Sequence, residues 1–263
     1  MKKITACLFA MLALMLASFA AGVQYERGDV NQDGTVGISD VTCLIDYILT
    51  GTWEDEPVTP PDEHEYVDLG LPSGTLWATC NVGADTPEGY GDYFAWGETA
   101  PKEEEYSWAT YKWCNGSSTK MTKYCTNSNY GTVDGKTELD PEDDAAYVNW
   151  GPLWRMPTLE QQKELMNYCT WTWSSQNGVN GLLLTGPNGA SMFLPAVGCC
   201  SDSSLDGESM FAHYWLCKTF YTSDGYRLPN YAFLLYFNSG NCFLSCTGRN
   251  SGAAVRAVRV AQN

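Results

Sequence analysis

The sequence predicts an α+β protein: a domain built on a small antiparallel sheet with long loops, preceded by a short loop–helix unit. Three observations predict it. Glycine (25), tryptophan (10) and tyrosine (16) are plentiful in 263 residues, which favours strands and turns over a helical bundle. Only two segments combine helical periodicity with end signals, residues 41–51 and a stretch beginning at Thr158. An acidic, Pro-rich stretch at 52–64 separates the first of these from everything that follows. The chain is 44% hydrophobic, enough for one substantial core.

Residues 1–20 read as an export signal. Lys2 and Lys3 form a basic start, Ile4 to Leu16 an apolar run, and Ser18 and Ala20 the small residues before a cut. The alternative is an uncleaved anchor, but no basic stop-transfer cluster follows. Cleavage leaves 13 basic and 31 acidic residues, a net charge of −18 against −16 for the whole chain. Such a chain repels a phosphate backbone, so nucleic acid is not an expected partner. Eleven cysteines in an exported protein imply several disulfides, whose pairing the sequence leaves open.

Residues 29–40, DVNQDGTVGISD, form a candidate calcium loop. Asp29, Asn31 and Asp33 stand at positions 1, 3 and 5, Thr35 offers its carbonyl at position 7, and Asp40 closes the loop at position 12. Gly34 permits the sharp turn at position 6. The alternative is an acidic turn without metal. Val41, Leu44, Ile45, Ile48 and Leu49 then repeat at helical spacing until Gly51. Residues 28–51 therefore resemble one repeat of a type I dockerin. The resemblance implies Ca2+ binding, and a cohesin-like or self partner for residues 41–50. A dockerin usually carries two such repeats, and no second loop follows here.

From Glu65 the expected elements run in order. A strand at Tyr66–Leu69 turns at Pro72-Ser73-Gly74 into a second at Thr75–Asn81. A loop-rich region follows. A helix starts at Thr158, its N-cap, with Gln161 completing a capping box and Met166 and Cys169 facing inward. Strands at Gly181–Thr185, Ser191–Pro195, Tyr231–Phe237 and Ala254–Val260 are joined by Asn/Gly/Ser turns. Trp77, Trp96, Trp150, Trp154, Trp171 and Trp173 are candidate core residues.

The blocks EYVDLGLPSGTLWATCNVGA, YGDYFAWGET, WRMPTLEQQKEL, NGVNGLLLTGPNGASMFLPAVG, YAFLLYFNSG and AVRAVRV resemble, in order, the FISUMP (Fib_succ_major) paralogous domain. The match covers nearly all of 65–260. It implies a secreted or cell-surface domain with a C-type-lectin-like fold of the formylglycine-generating-enzyme branch. In that fold the first and last strands pair, which would set Tyr66–Leu69 beside Ala254–Val260.

Catalytic constellations are absent from the pattern. Formylglycine-type chemistry needs paired reactive cysteines, and adjacent Cys199 and Cys200 cannot form a relaxed bridge. Only His213 lies in the domain, and no Gly-x-Ser-x-Gly turn accompanies it. No carboxylate pair stands out for glycoside hydrolysis. Arg256 and Arg259 read as ion-paired residues closing the domain, with Glu98 a candidate partner. Cys114 and Cys125 could staple a loop.

The resemblance also marks a candidate ligand surface in Trp215–Ala253. The flanks keep the family pattern, while the residues between depart from the Ser-, Asn- and Tyr-rich composition usual there. The expected ligand-binding residues are Trp215, Leu216, Cys217, Lys218, Phe220, Phe243, Leu244, Ser245, Thr247, Arg249, Ser251 and Ala253. Aromatic and aliphatic groups supply rigid area, and Arg249 and Lys218 supply directed donors. Most of the altered residues are reachable from AAC codons by adenine substitution, as a diversity-generating retroelement would produce. Ordinary drift with a local Cys242–Cys246 bridge is the alternative. The expected function is a non-catalytic ligand-binding or adhesion protein for an extracellular protein or glycan. The runner-up is a dockerin-bearing component of a polysaccharide-degrading assembly.

Overall fold

The computed structural model describes Val41, Leu44, Ile45, Ile48 and residues 64–259. The chain divides into two units, residues 1–63 and 64–263. In the first, Val41, Leu44, Ile45 and Ile48 are helical, and Val41, Ile45 and Ile48 are exposed. The export segment and the calcium loop lie outside the described residues, as does the linker apart from His64. His64 stacks on Trp150 with ring centroids 4.0 Å apart. No helix among the described residues is long and apolar enough to cross a membrane.

The second unit is α+β, with few helices and mostly small antiparallel sheets. In chain order its elements are β1 (Tyr66–Asp68), β2 (Leu76–Ala78), α1 (Ala145–Trp150), β3 (Trp154–Arg155), α2 (Leu159–Tyr168), β4 (Thr170–Gln176), β5 (Val179–Thr185), β6 (Ser191–Pro195), β7 (Cys199–Ser201), β8 (Ser204–Asp206), β9 (Phe211–Tyr221), β10 (Arg227–Asn238), β11 (Cys242–Gly248) and β12 (Val258–Arg259).

Local chemistry explains several of these. In α2 the Thr158 hydroxyl accepts from the Gln161 N–H at 3.1 Å, and the Gln161 side chain accepts from the Thr158 N–H at 2.9 Å. That is the expected capping box. The helix α1, which periodicity did not reveal, is capped by Asp144. Its carboxylate accepts from the N–H groups of Ala146, Tyr147 and, across the chain, Met156. Asn177-Gly178 joins β4 to β5 with both residues at positive φ, 49° and 83°. This is the two-residue turn whose twist matches the flanking strands.

Four sheets result, ordered β1-β2-β12-β3, β11-β10-β9, β4-β5-β6 and β7-β8. The expected pairing of first and last strands is corrected: β2 stands between them. β1 and β2 form a hairpin with Val67 opposite Trp77, and the other edge of β2 takes β12, with Val258 opposite Trp77. The tight turn, with Gly74 N–H bonded to Leu71 O at 2.9 Å, commits one edge of β2 to β1 and leaves only the far edge for β12.

The sheet β11-β10-β9 is the central layer. The middle of β10 is buried on both faces. One face meets a core of Trp77, Leu182, Leu194, Tyr214, Leu235 and Phe237; the other meets Phe94, Trp96, Trp154, Trp215, Leu234 and Val255. Trp77, Trp96 and Trp154 are thus core residues as expected, while Trp150, Trp171 and Trp173 are half-buried.

The expectation of disulfides is corrected for the nine described cysteines, all of which are free thiols. Cys114 and Cys125 donate instead to the carbonyls of Trp108 and Asn127, at 3.1 and 3.2 Å. Cys242 and Cys246 lie four residues apart on β11, so about 13 Å separates them along the strand. No bridge spans that distance.

Candidate binding surface

The register of the central sheet sets His213, Tyr236 and Phe243 in one row across β9, β10 and β11. Alternation places Phe211, two residues before His213, and Asn238, two after Tyr236, on that same face. Phe211 and Tyr236 stack with centroids 5.9 Å apart and planes 25° from parallel. Tyr236 and Phe243 follow at 5.0 Å and 37°. His213 lies 5.4 Å from Phe211 and 5.7 Å from Tyr236.

The four rings pack against one another as an aromatic floor at one end of the sheet, with Phe243 its exposed member. Phe243 is 46% exposed, and Met210 beside Phe211 is 69% exposed. The floor is fixed from below and from the side. A Cβ on Gly207 would collide with the Phe211 ring, so the ring lies directly against that backbone. Asn238 Nδ2 donates to the Tyr236 hydroxyl at 3.0 Å, and its Oδ1 accepts from the N–H groups of Gly240 and Asn241, holding the β10–β11 turn. Burial pushes the His213 imidazole down to about 4, so it stays neutral near pH 7.

The predicted ligand residues divide sharply. Phe243 and Ser245 share the face of the floor. Thr247, two residues further along, points its hydroxyl toward that of Ser251 at 3.5 Å, and both are half-buried. Leu244, one residue out of step, turns to the opposite face and packs with Phe220 against Leu159, Leu216 and Phe233. Lys218 is ion-paired with Glu138 at 2.7 Å.

Trp215, Leu216, Cys217, Arg249 and Ala253 are corrected: all five are buried and form part of the core. Trp215 donates its indole N–H to Phe94 O at 2.7 Å. Leu216 lies under α2 beside Leu159. Cys217 and Ala253 belong to the tryptophan-rich core. Arg249, fully buried, donates from Nε to the Tyr111 hydroxyl at 2.8 Å and from Nη1 to the carbonyls of Pro229, Lys123 and Tyr124. Its guanidinium lies 4.6 Å over the Trp96 ring. Arg256 is likewise buried, bonded to Asn81 Oδ1 at 2.9 Å and to the carbonyls of Ala78 and Thr79. The expected acid partner Glu98 pairs with Lys102 at 2.7 Å. Arg259 lies over the Tyr66 ring at 4.6 Å.

The calcium residues Asp29, Asn31, Asp33, Thr35 and Asp40 lie outside the described residues. An acidic triad elsewhere, Asp140, Glu142 and Asp143, brings its carboxylates within 4.8 Å of one another and could hold a metal ion. Lys123 already supplies a cation there, with Nζ 2.7, 3.6 and 2.6 Å from the three carboxylates. Hydrogen bonds from Lys123 and Lys136 hold Asp140 at about 2.

Sequence reasoning reached Phe243 and missed Phe211 and Tyr236. The aromatic residues Phe211 and His213 alternate along β9, and Tyr236 and Phe243 lie on the next two strands, but only the register joins them. No family model, curated protein or solved structure matches the chain.

Proposed function

We propose that the chain is an exported, non-catalytic ligand-binding protein of the cell surface or surroundings, with a FISUMP-type, C-type-lectin-like domain presenting its ligand site on β11 and the aromatic floor. The observation that carries this reading is Phe243, exposed on a row of rings that three strands hold in register. Rigid aromatic area contributes to binding at low entropy cost. The ligand is an extracellular protein or a glycan. Residues 29–40 bind Ca2+ in this reading, and retroelement diversification would act on exposed Phe243 and half-buried Ser245, Thr247 and Ser251 rather than on the fully buried residues.

The test applies the full chain and its Phe243→Ala variant, side by side, to an array of glycans and extracellular proteins. The expected result is a discrete set of bound features, weakened at least tenfold in the variant. An empty array, or equal binding by both proteins, overturns the reading.

A second reading is favoured by the exposed helical stripe of Val41, Ile45 and Ile48. It makes residues 28–51 a dockerin-like handle within a polysaccharide-degrading assembly. Calcium-dependent capture of a cohesin would support it, and capture unaffected by chelator would oppose it.

A further inference from the structure

We propose that the free edge of β11 pairs antiparallel with β11 of a second copy of the chain, joining two central sheets into one of six strands. The inference goes beyond the binding reading and does not rest on it, because it concerns backbone groups of the strand and not the face that carries Phe243. The two edges of the central sheet differ. Along β9 the outward N–H groups of His213, Trp215, Cys217 and Thr219 donate to the carbonyls of Gly198, Ala254, Pro157 and Thr137. Along β11 the pairing has a fixed parity, set by Asn238 N–H on Asn241 O at one end and Arg249 N–H on Asn230 O at the other. That parity turns the backbone groups of Phe243, Ser245 and Thr247 toward β10, and those of Cys242, Leu244, Cys246 and Gly248 outward. Among the described residues none of these four outward N–H groups has an acceptor.

Edge strands are ordinarily protected by brevity, lysine, proline or a bulge. β11 has none of these: it runs for seven residues without a charge or a proline, in unbroken register with β10. The occupant this edge fits is its own reverse. The outward residues lie symmetrically about Ser245. A two-fold axis through Ser245 therefore sets outward residue against outward residue along the whole strand, Leu244 opposite the second copy's Cys246 and Cys242 opposite its Gly248, each pair able to exchange two hydrogen bonds. The side chains agree. Phe243 meets Thr247, an aromatic against a β-branched residue, and Ser245 meets Ser245. No like charges face each other, although the chain carries −16. A foreign strand would be selected by pockets for its alternate side chains, whereas this edge matches its own sequence reversed. The other seven-residue edge strand, β4, ends under Glu88, whose carboxylate accepts from Gln176 and Asn177 and sets a charge there. In the six-stranded sheet both Phe243 rings lie on the same face, so two floors point the same way.

Sedimentation equilibrium of the full chain tests this, with reductant present so that free thiols cannot link two copies. The expected result is a reversible monomer–dimer equilibrium. Ser245→Lys and Ser245→Asp each set like charges face to face on the two-fold axis, and each should weaken association by about tenfold or more. An equimolar mixture of the two variants should recover it to within about threefold of the unaltered chain. Ser175→Lys, at an exposed position of β4, should leave it unchanged. A monomer at every concentration, a dimer untouched by Ser245→Lys, one lost equally in Ser175→Lys, or no recovery in the mixture overturns the inference. Should either Ser245 variant fail to fold by circular dichroism, amide exchange of the unaltered chain decides. The Leu244 and Cys246 amides are expected to exchange about tenfold or more slowly in concentrated than in dilute protein. Exchange independent of concentration at both overturns the inference.

Discussion

The two ends of one face of the central sheet make opposite use of the same strands. At one end Trp215 and Leu234 lie beneath Phe94 and Trp96, with both indole N–H groups bonded to carbonyls, Trp215 to Phe94 and Trp96 to Leu216. At the other, His213, Tyr236 and Phe243 lie on the same face of the same three strands, and Phe243 projects into solvent. Strand alternation decides which face a side chain takes. It does not decide what covers that face. Much of the cover at the closed end comes from Phe94, Trp96 and Tyr124, between 91 and 140 positions before Trp215 and Leu234 in the chain.

The largest expected effect is at the closed end. Arg249→Met removes the donor for the Tyr111 hydroxyl and the Pro229 carbonyl, both deep inside. Stranding buried acceptors and losing the cation–π contact with Trp96 should cost about 3 kcal/mol or more. Urea unfolding measures it. A loss under about 1 kcal/mol would mean that the closed end is open enough for water to replace the guanidinium.

His213 gives the boundary between the ends a pH signature. Its pKa falls from 6.5 to about 4 on folding, because burial disfavours the charged ring. Between those values the unfolded chain binds the proton and the folded one does not, so stability is lost as pH falls from about 6.5 to 4. The contribution is up to about 3 kcal/mol. His213→Phe should flatten that part of the profile of Tm against pH. An unchanged slope would show that the imidazole is solvated and that the floor extends further into water than its neighbours suggest.

Ala253 sharpens the contrast, because sequence patterning places it with Phe243 and the fold does not. It is fully buried and bridges Phe94 through its backbone, with Phe94 N–H donating to Ala253 O at 3.0 Å. Ala253→Leu should overpack the tryptophan core and cost about 1–3 kcal/mol. A neutral result in thermal unfolding would return Ala253 to the variable surface.

These cases show what was legible in the sequence. The capping box of α2 and the strands at 191–195 and 231–237 follow from local chemistry, and the structure contains them. The exposed position of Phe243 also agrees with expectation. Burial of Arg249 was illegible, and Arg256, expected in a buried or rim ion pair, is buried without one, because the partners of both are carbonyls and neutral side chains, which leave no charge pattern. The insertion of β2 between β1 and β12 was illegible because either edge of a three-residue strand reads alike. Phe211 and Tyr236 were missed because strand register, not spacing along the chain, makes them neighbours of Phe243.

The finest test uses adjacent residues. Leu244 points away from the floor into the cluster of Leu159, Leu216 and Phe233, so Leu244→Ala should cost about 2 kcal/mol and leave ligand binding intact. Phe243 has solvent on one side and the Tyr236 ring on the other. Its truncation should cost under about 1 kcal/mol, the worth of one partly exposed aromatic contact, and yet remove binding. Paired unfolding and binding measurements on the two variants then separate cover from contact at single-residue resolution. If both variants lose stability and binding together, a shift of one residue in the register of β11 against β10 would account for it, because such a slip exchanges the faces of Phe243 and Leu244. Opposite outcomes at the two positions fix the register and with it the membership of the floor.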